Sequence, residues 1–205
     1  IRLGLVGSEM CIRDRNGGLF LNAENEAQFA SVICHELAHL SQRHFQRNVL
    51  RSQDTNLAST LIMVSSIAIA LATNNPGAFL AGPALIQQES LRYSRSFERE
   101  ADRFGFENLI ASGYDPQSMG EMFENMAYLR RLYGDNIPEF LRTHPITSSR
   151  ISDAFNAADQ VPEIEGKKNS LNYQLVRGRL SAQYEEIPIN AVRIFKDRLI
   201  NEPTI

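Results

Sequence analysis

Two histidines that flank a glutamate form the stretch of this sequence best suited to chemistry, His35-Glu36-Leu37-Ala38-His39. Residues four apart on a helix lie on one face, so both imidazoles can reach one metal ion at the roughly 2.0–2.1 Å that zinc prefers. Glu36 lies about 100° round the helix from His35. A water held by the metal has a lowered pKa, and Glu36 is placed to accept its proton as a general base. The motif therefore predicts a metal-dependent hydrolase.

The alternative is a surface helix that carries two histidines by coincidence. The flanking residues favour a genuine amphipathic helix, because Glu24 and Glu26 precede an apolar stripe and arginines follow it. We predict one long helix over roughly 23–51. On such a continuous helix His44 would lie on the face opposite His35. His44 is therefore predicted to be a solvated or capping histidine, not a ligand.

A second acidic segment, Glu98-Arg99-Glu100-Ala101-Asp102-Arg103, could complete the metal site. Glu98 and Asp102 are four apart and share a helix face, whereas Glu100 should point elsewhere, into a surface ion pair. Two histidines and one glutamate are a known catalytic zinc set, and a carboxylate one turn on can fix the tautomer of a ligand histidine. Taken alone, the segment reads as a solvated helix face. The need of the histidine pair for a third ligand favours the metal site.

The last histidine, His144, lies on a predicted loop between Thr143 and Pro145, ahead of a helix that carries Arg150. A single histidine on a loop is usually incidental. Because the other histidines are assigned to the metal or to the opposite face, His144 is nevertheless a candidate for function.

The elements that must position these residues are mostly helical. Leu57–Ala72 is apolar and free of charge, but it is shorter than the about 20 residues of a membrane span. A buried helix or a helical hairpin is favoured, and attachment to a bilayer surface is the alternative. The turn Asn74-Asn75-Pro76-Gly77 leads into a second apolar segment, 78–91, and the two segments together predict a flap that returns the chain to the metal site.

Composition sets the class of protein. The chain has 205 residues, of which 43% are hydrophobic and 22% charged, as in ordinary globular proteins. Its net charge of −3 gives no reason to expect a nucleic-acid partner. Cys11 and Cys34 do not make a disulfide framework, and Cys34 is expected to be a small buried hydrophobe. We predict a mainly α fold (α+β with minimal sheet).

Three regions follow one another along the chain. Residues 1–15 resemble translated sequencing-adaptor sequence and are expected to be non-native. Residues 16–160 are predicted to form a metallopeptidase domain. Residues 161–205 begin as a linker and continue as two amphipathic helices, 171–183 and 189–200, which we predict to start a helical repeat tail.

The sequence resembles the zinc peptidases related to HtpX and the CAAX prenyl protease. Within them it is most similar to the periplasmic BepA type, which carries a tetratricopeptide tail and assists outer-membrane assembly. The resemblance rests on the stretch His35-Glu36-Leu37-Ala38-His39, on Glu98-x-x-x-Asp102, and on His144-Pro145 followed by Arg150. It implies a zincin-type helical metallopeptidase domain followed by the start of tetratricopeptide-like repeats.

The resemblance also implies roles for these residues. It implies that His35, His39 and Glu98 bind one zinc ion, that Glu36 is the catalytic base, and that Asp102 supports a ligand histidine. The mechanism would be metal-assisted hydrolysis of a peptide bond.

Two further residues take roles only from the resemblance. His144 resembles a histidine on a mobile loop that can take the fourth position of zinc and silence the enzyme. Arg150 resembles an arginine near the site, which we assign to anchoring a carboxylate or a substrate carbonyl.

The resemblance implies an endopeptidase that cleaves misfolded or stalled envelope proteins in outer-membrane quality control. Its partners would be unfolded or partly folded proteins and the outer-membrane assembly machinery, with peripheral membrane association as a further expectation. A periplasmic location would require a signal sequence that is missing from this chain. Two alternatives stay open, a chaperone or assembly scaffold with a latent, self-inhibited zinc site, and a membrane-embedded relative that acts on prenylated or signal-derived peptides.

Overall fold

The computed structural model describes residues 19–134, 143–162, 166–185 and 188–201. The predicted adaptor-like segment, 1–15, lies outside these ranges. Within them the chain is helical and contains no β-strand, and an isolated parallel bridge joins Tyr114 to Lys167. The prediction of a mainly α protein is confirmed.

Seven helices, here α1 to α7, are assigned in the described part of the chain. They are α1 (Glu26–Ser41), α2 (His44–Thr73), α3 (Gly77–Ala111), α4 (Ser118–Tyr133), α5 (Ser148–Asp159), α6 (Leu171–Tyr184) and α7 (Pro188–Asn201).

The prediction of one continuous helix over 23–51 is wrong. α1 ends at Ser41 and α2 begins at His44, because Arg43 adopts a left-handed conformation with φ 54° and ψ 39°. Such a residue cannot continue a right-handed helix, and residues other than glycine adopt it rarely. The helical phase of α1 therefore does not extend to His44, and the reasoning that placed His44 on the opposite face does not hold.

Contacts divide the chain into two compact units, of which the first combines Ile1–Cys34 with Phe106–Ile205. Its described residues hold an apolar core to which α4 contributes most. The buried side chains from α4 are Met119, Met122, Phe123 and Met126. Cys34 is buried in the same core, as predicted, and burial raises the pKa of its thiol.

The two predicted tail helices are present as α6 and α7. Tyr173 of α6 is buried, and its ring centroid lies 4.6 Å from that of Phe20. Arg177 donates hydrogen bonds to the backbone carbonyls of Leu21 and Glu24. α6 therefore packs within the first unit, while the repeat array and the boundary near residue 160 stay predictions.

The second unit is His35–Gly105. In it α2 and α3 form a helical hairpin, as predicted, with a turn after Thr73. The alternative of a buried helix is wrong, since only 6% of the segment Asn56–Thr73 is buried. Among the described residues, this segment is the one helix long and apolar enough, by length and composition alone, to cross a membrane.

Candidate metal centre

Helices α1 and α3 bring two imidazoles and one carboxylate together within the second unit. The Nε2 atoms of His35 and His39 are 3.0 Å apart. Glu98 places one carboxylate oxygen 3.5 Å from Nε2 of His35 and the other 3.4 Å from Nε2 of His39. Donor atoms of a tetrahedral zinc ion lie about 3.3–3.4 Å from one another when each bond is 2.0–2.1 Å. The three side chains therefore fit a metal ion.

Asp102 holds the first of the two imidazoles. Its Oδ1 lies 3.0 Å from Nδ1 of His35, and the His35 side chain is almost fully buried. A carboxylate this close to Nδ1 favours the tautomer with the proton on Nδ1, which leaves Nε2 of His35 as the metal-facing nitrogen. Asp102 follows Glu98 by one helical turn, so one face of α3 supplies both carboxylates.

The second imidazole is held by a chain of side chains that the sequence did not reveal. Nδ1 of His39 lies 2.8 Å from Nδ1 of His44, and Nε2 of His44 lies 3.2 Å from Oε2 of Glu100. Because the Glu100 carboxylate accepts the Nε2 proton, Nδ1 of neutral His44 is an acceptor for the Nδ1–H of His39. Nε2 of His39 is thereby left without a proton, as a metal ligand must be.

The surroundings of His44 favour its neutral form. Its ring stacks on Phe97, with centroids 4.3 Å apart and an interplanar angle of 18°. Burial lowers the pKa of His44, against the opposing effect of Glu100. Burial also acts to raise the pKa of Glu100, but hydrogen bonds from Arg47 and His44 outweigh it and hold that pKa low.

The prediction that His44 is solvated or a cap is therefore wrong, since the residue is 3% exposed. The predicted ion pair of Glu100 is present, because Nη1 of Arg47 lies 2.8 Å from its Oε2. The sequence contains no glycine or proline near Arg43 that would have signalled the helix break. Without the break, the spacing from His39 to His44 gives no shared face.

Glu36 is half-buried on α1, between the two histidines in sequence. It precedes His39 by three residues and follows His35 directly, which is the relation from which its role as a base was predicted. That role stays a proposal, as do the roles of the three donor residues and of Asp102.

The other two predicted site residues, His144 and Arg150, lie in the first unit. Arg150 is buried, its Nη1 donates to the backbone carbonyl of Pro145 at 2.9 Å, and its guanidinium lies 4.9 Å from the Phe123 ring centroid. Arg150 also donates its backbone N–H to Oγ1 of Thr147 at 3.3 Å. These contacts hold the loop that carries His144, and the predicted roles of both residues stay predictions.

Comparison with known proteins assigns the family. A model described as peptidase family M48 matches residues 9–158. The chain belongs to peptidase family M48. That membership agrees with a His-Glu-x-x-His motif whose two imidazoles and distant glutamate meet at one point.

Bacterial and mitochondrial proteases are among the curated proteins to which this chain is similar. It is 36% identical over 172 residues to the beta-barrel assembly-enhancing protease of Escherichia coli O157:H7, and 34% identical over 171 residues to that of Yersinia pestis. Each alignment covers 82% of this chain but only 35% of the relative. The mitochondrial metalloendopeptidase OMA1 of Arabidopsis thaliana is 28% identical over 133 residues, which cover 65% of this chain and 25% of that protein.

Proposed function

We propose that this chain is the catalytic part of a zinc-dependent endopeptidase. The observation that carries the proposal is the arrangement of His35, His39 and Glu98, whose two Nε2 atoms and carboxylate oxygens lie 3.0–3.5 Å apart, close to the ligand spacing of one tetrahedral metal ion. Both imidazoles also have Nδ1 directed at a partner, so that both Nε2 lone pairs point to the same place.

A divalent ion bound there would supply Lewis acidity, for the substrate carbonyl and for the attacking water. Glu36 would take the proton from that water and later pass it to the leaving amine nitrogen. His35 and His39 would stay neutral throughout, because Asp102 and His44 each hold one ring nitrogen in a fixed protonation state.

The proposed substrates are misfolded or stalled envelope proteins, and the proposed location is the periplasm. Support comes from the names of the bacterial relatives, which describe proteases that enhance β-barrel assembly. We extend to this chain the role in outer-membrane quality control, with unfolded or partly folded proteins as substrates. We also propose that α6 and α7 begin a tetratricopeptide-like array, since they form a helix pair that follows the segment matched by the family.

The test is Glu36→Gln in the purified chain, measured with an unfolded protein substrate such as reduced casein. Loss of the general base should lower the cleavage rate by about 10²–10⁴-fold, while bound zinc stays at one ion per chain by mass spectrometry. Glu89→Gln, which changes an exposed acid on α3, is the matched control. Cleavage by Glu36→Gln at the rate of the control would overturn the proposal.

A cellular assay separates the endopeptidase from the scaffold alternative. In cells that lack the native protein, wild type should restore outer-membrane assembly and Glu36→Gln should not. Full restoration by Glu36→Gln would show that the biological task needs the fold and not the cleavage.

A further inference from the structure

The distal part of the α2–α3 hairpin has no charge and almost no cover. Between Asn56 and Gln88 the sequence contains no charged residue. Two residues in that stretch are buried, Ser66 and Gly82. Leu71 is 79% exposed and Leu80 is 67% exposed. We call residues 56–88 the apolar hairpin.

The two arms of the apolar hairpin approach each other closely at two small residues, Ser66 and Gly82. A Cβ atom added to Gly82 would lie 2.6 Å from Oγ of Ser66, which shows how closely the helices approach. Other partly buried residues of the two arms are Ser59, Met63, Ala70, Ala78 and Ile86. Small residues at a helix–helix contact are typical of pairs that pack in lipid.

Most other exposed side chains of the apolar hairpin are apolar or small, and the exposed amides lie at its turn and at its base, as Asn74 and Gln88 do. A partner protein would cover one face of a helix pair, and the uncovered faces would then be expected to carry polar residues. Here the outward side chains lie on several sides, including Leu61, Val64, Ile69, Leu71, Phe79 and Leu80. A bilayer is the one surrounding that contacts every side of an inserted helix pair with apolar groups.

Several polar groups of the apolar hairpin have hydrogen-bond partners within it, which lowers the cost of placing them in lipid. In the turn, the backbone N–H of Asn75 donates to the carbonyl of Ala70 at 3.1 Å, and the N–H of Gly77 donates to Oδ1 of Asn75 at 2.9 Å. The hydroxyls of Thr60 and Thr73 donate to backbone carbonyls one turn earlier, at 2.8 and 2.7 Å.

The base of the apolar hairpin changes abruptly to charged and aromatic residues. Arg51 pairs with Glu89 at 2.7 Å, and its guanidinium lies 3.7 Å from the centroid of the Tyr93 ring. Arg92 and Arg95 are exposed on the next turns of α3. Tyrosine and basic side chains at this level are typical of the headgroup region of a membrane, where anionic lipids attract arginine.

We propose that the apolar hairpin inserts tip first into a lipid bilayer. Its shorter arm, Gly77–Gln88, extends about 18 Å at 1.5 Å per residue, which compares with about 15 Å for half of the hydrocarbon core. The hairpin therefore enters one leaflet and returns, with Arg51, Arg92 and Tyr93 at the headgroups. The inference goes beyond the proposed peptidase activity, and lipid binding can be measured in the Glu36→Gln chain.

The absence of tryptophan from the chain gives a direct test of insertion. Phe79→Trp places a single fluorophore near the tip, and Phe45→Trp places one at an 84% exposed position outside the apolar hairpin. With vesicles of phosphatidylcholine and 30% phosphatidylglycerol, we expect a blue shift and quenching by brominated acyl chains for Trp at 79 only. Unshifted emission from position 79, or equal quenching at both positions, would overturn the proposal.

Substitution to lysine tests whether the exposed apolar side chains provide the attachment. Leu71→Lys/Leu80→Lys alters two exposed residues, so the fold in water should be unaffected, as circular dichroism can verify. Flotation of the full chain with the same vesicles should show at least a tenfold lower partition coefficient. Leu175→Lys, an exposed leucine of α6, is the matched control and should float like wild type.

A second copy of this chain is the competing occupant of the apolar hairpin. If copies cover one another, the emission of Trp at 79 would shift blue with protein concentration in the absence of vesicles. Sedimentation would then show a dimer that Leu71→Lys/Leu80→Lys dissociates. That result would overturn the lipid proposal, whereas a monomer that partitions into vesicles supports it.

Discussion

The metal end and the apolar end of the second unit share helix α3 but are built in opposite ways. At the metal end, the acidic side chains Glu98, Glu100 and Asp102 are each within 3.5 Å of a histidine nitrogen. At the apolar end there is no charged side chain from Asn56 to Gln88 and hardly any burial. One helix therefore passes from a buried polar site to an exposed apolar surface.

The difference shows which region is complete within the chain itself. Buried charge is costly unless it is paired, and the metal end supplies partners for its charged groups from α1, α2 and α3. Exposed apolar area is equally costly when it faces water, and the described chain supplies no cover for the apolar hairpin. The metal end lacks only a metal ion, whereas the apolar hairpin lacks an apolar surrounding, for which we propose the lipid bilayer.

The largest expected effect at the metal end comes from removal of the acidic ligand. Structural zinc sites bind with roughly 10–16 kcal/mol, so loss of one of three ligands in Glu98→Ala should weaken zinc affinity about a thousandfold. Competition with a chelator measures the affinity, and Glu89→Ala is the matched control on α3. Lipid binding should be unchanged, and zinc affinity equal to the control would show that the third ligand lies elsewhere.

A smaller effect is expected from the histidine that holds His39. Replacement of a residue that orients a metal ligand typically costs 10–100-fold in affinity, and we expect a loss in that range for His44→Gln. Phe45→Ala changes the next residue, which is exposed, and serves as the control. If His44→Gln bound zinc as tightly as Phe45→Ala, the relay from Glu100 to His39 would have no part in metal binding.

At the apolar end, a larger side chain at the contact between Gly82 and Ser66 should lower the free energy of unfolding and leave the metal end intact. In Gly82→Leu the new side chain would overlap Ser66, and overpacking of this kind costs about 1–3 kcal/mol. The free energy of unfolding in urea should fall relative to Ala81→Leu, an exposed neighbour, while zinc affinity stays the same. Equal stability of the two variants would mean that the arms do not pack against each other at Gly82 and Ser66.

The smallest expected effect tests the loop in the first unit. If His144 restrains the enzyme at rest, as the family resemblance implies, His144→Ala should raise basal cleavage several-fold with zinc content intact. The double variant Glu36→Gln/His144→Ala should be inactive, which assigns the extra cleavage to the same site. An unchanged or lower rate for His144→Ala would remove the inhibitory role.

The parts of the site that depend on helical periodicity could be predicted from the sequence. The spacing of His35 and His39 is a local property of a helix, and the chemistry of zinc required a third ligand. Glu98 was predicted because Asp102 follows it by one turn, although nothing local shows that α3 reaches α1. The structure brings the donor atoms of these residues within 3.5 Å of one another.

Two features could not be predicted, for different physical reasons. The left-handed conformation of Arg43 breaks the helix where the local sequence contains no glycine or proline to signal a turn. The role of His44 was missed as a result. The exposure of the Asn56–Thr73 segment was also missed. An apolar composition indicates that a helix is unfavourable in water, but it does not show whether protein or lipid surrounds it.

The tight turn between Thr73 and Gly77 frees the length of the hairpin from the geometry of the metal site. Residues can be removed in equal numbers from both arms beside the turn without moving Glu98 or Arg51 at the base. Removal of about seven from each arm, close to two full helical turns, would keep the remaining side chains at nearly the same angle around each helix axis. The depth to which the hairpin enters a bilayer and the geometry of the metal site can thus change independently within one continuous segment of chain.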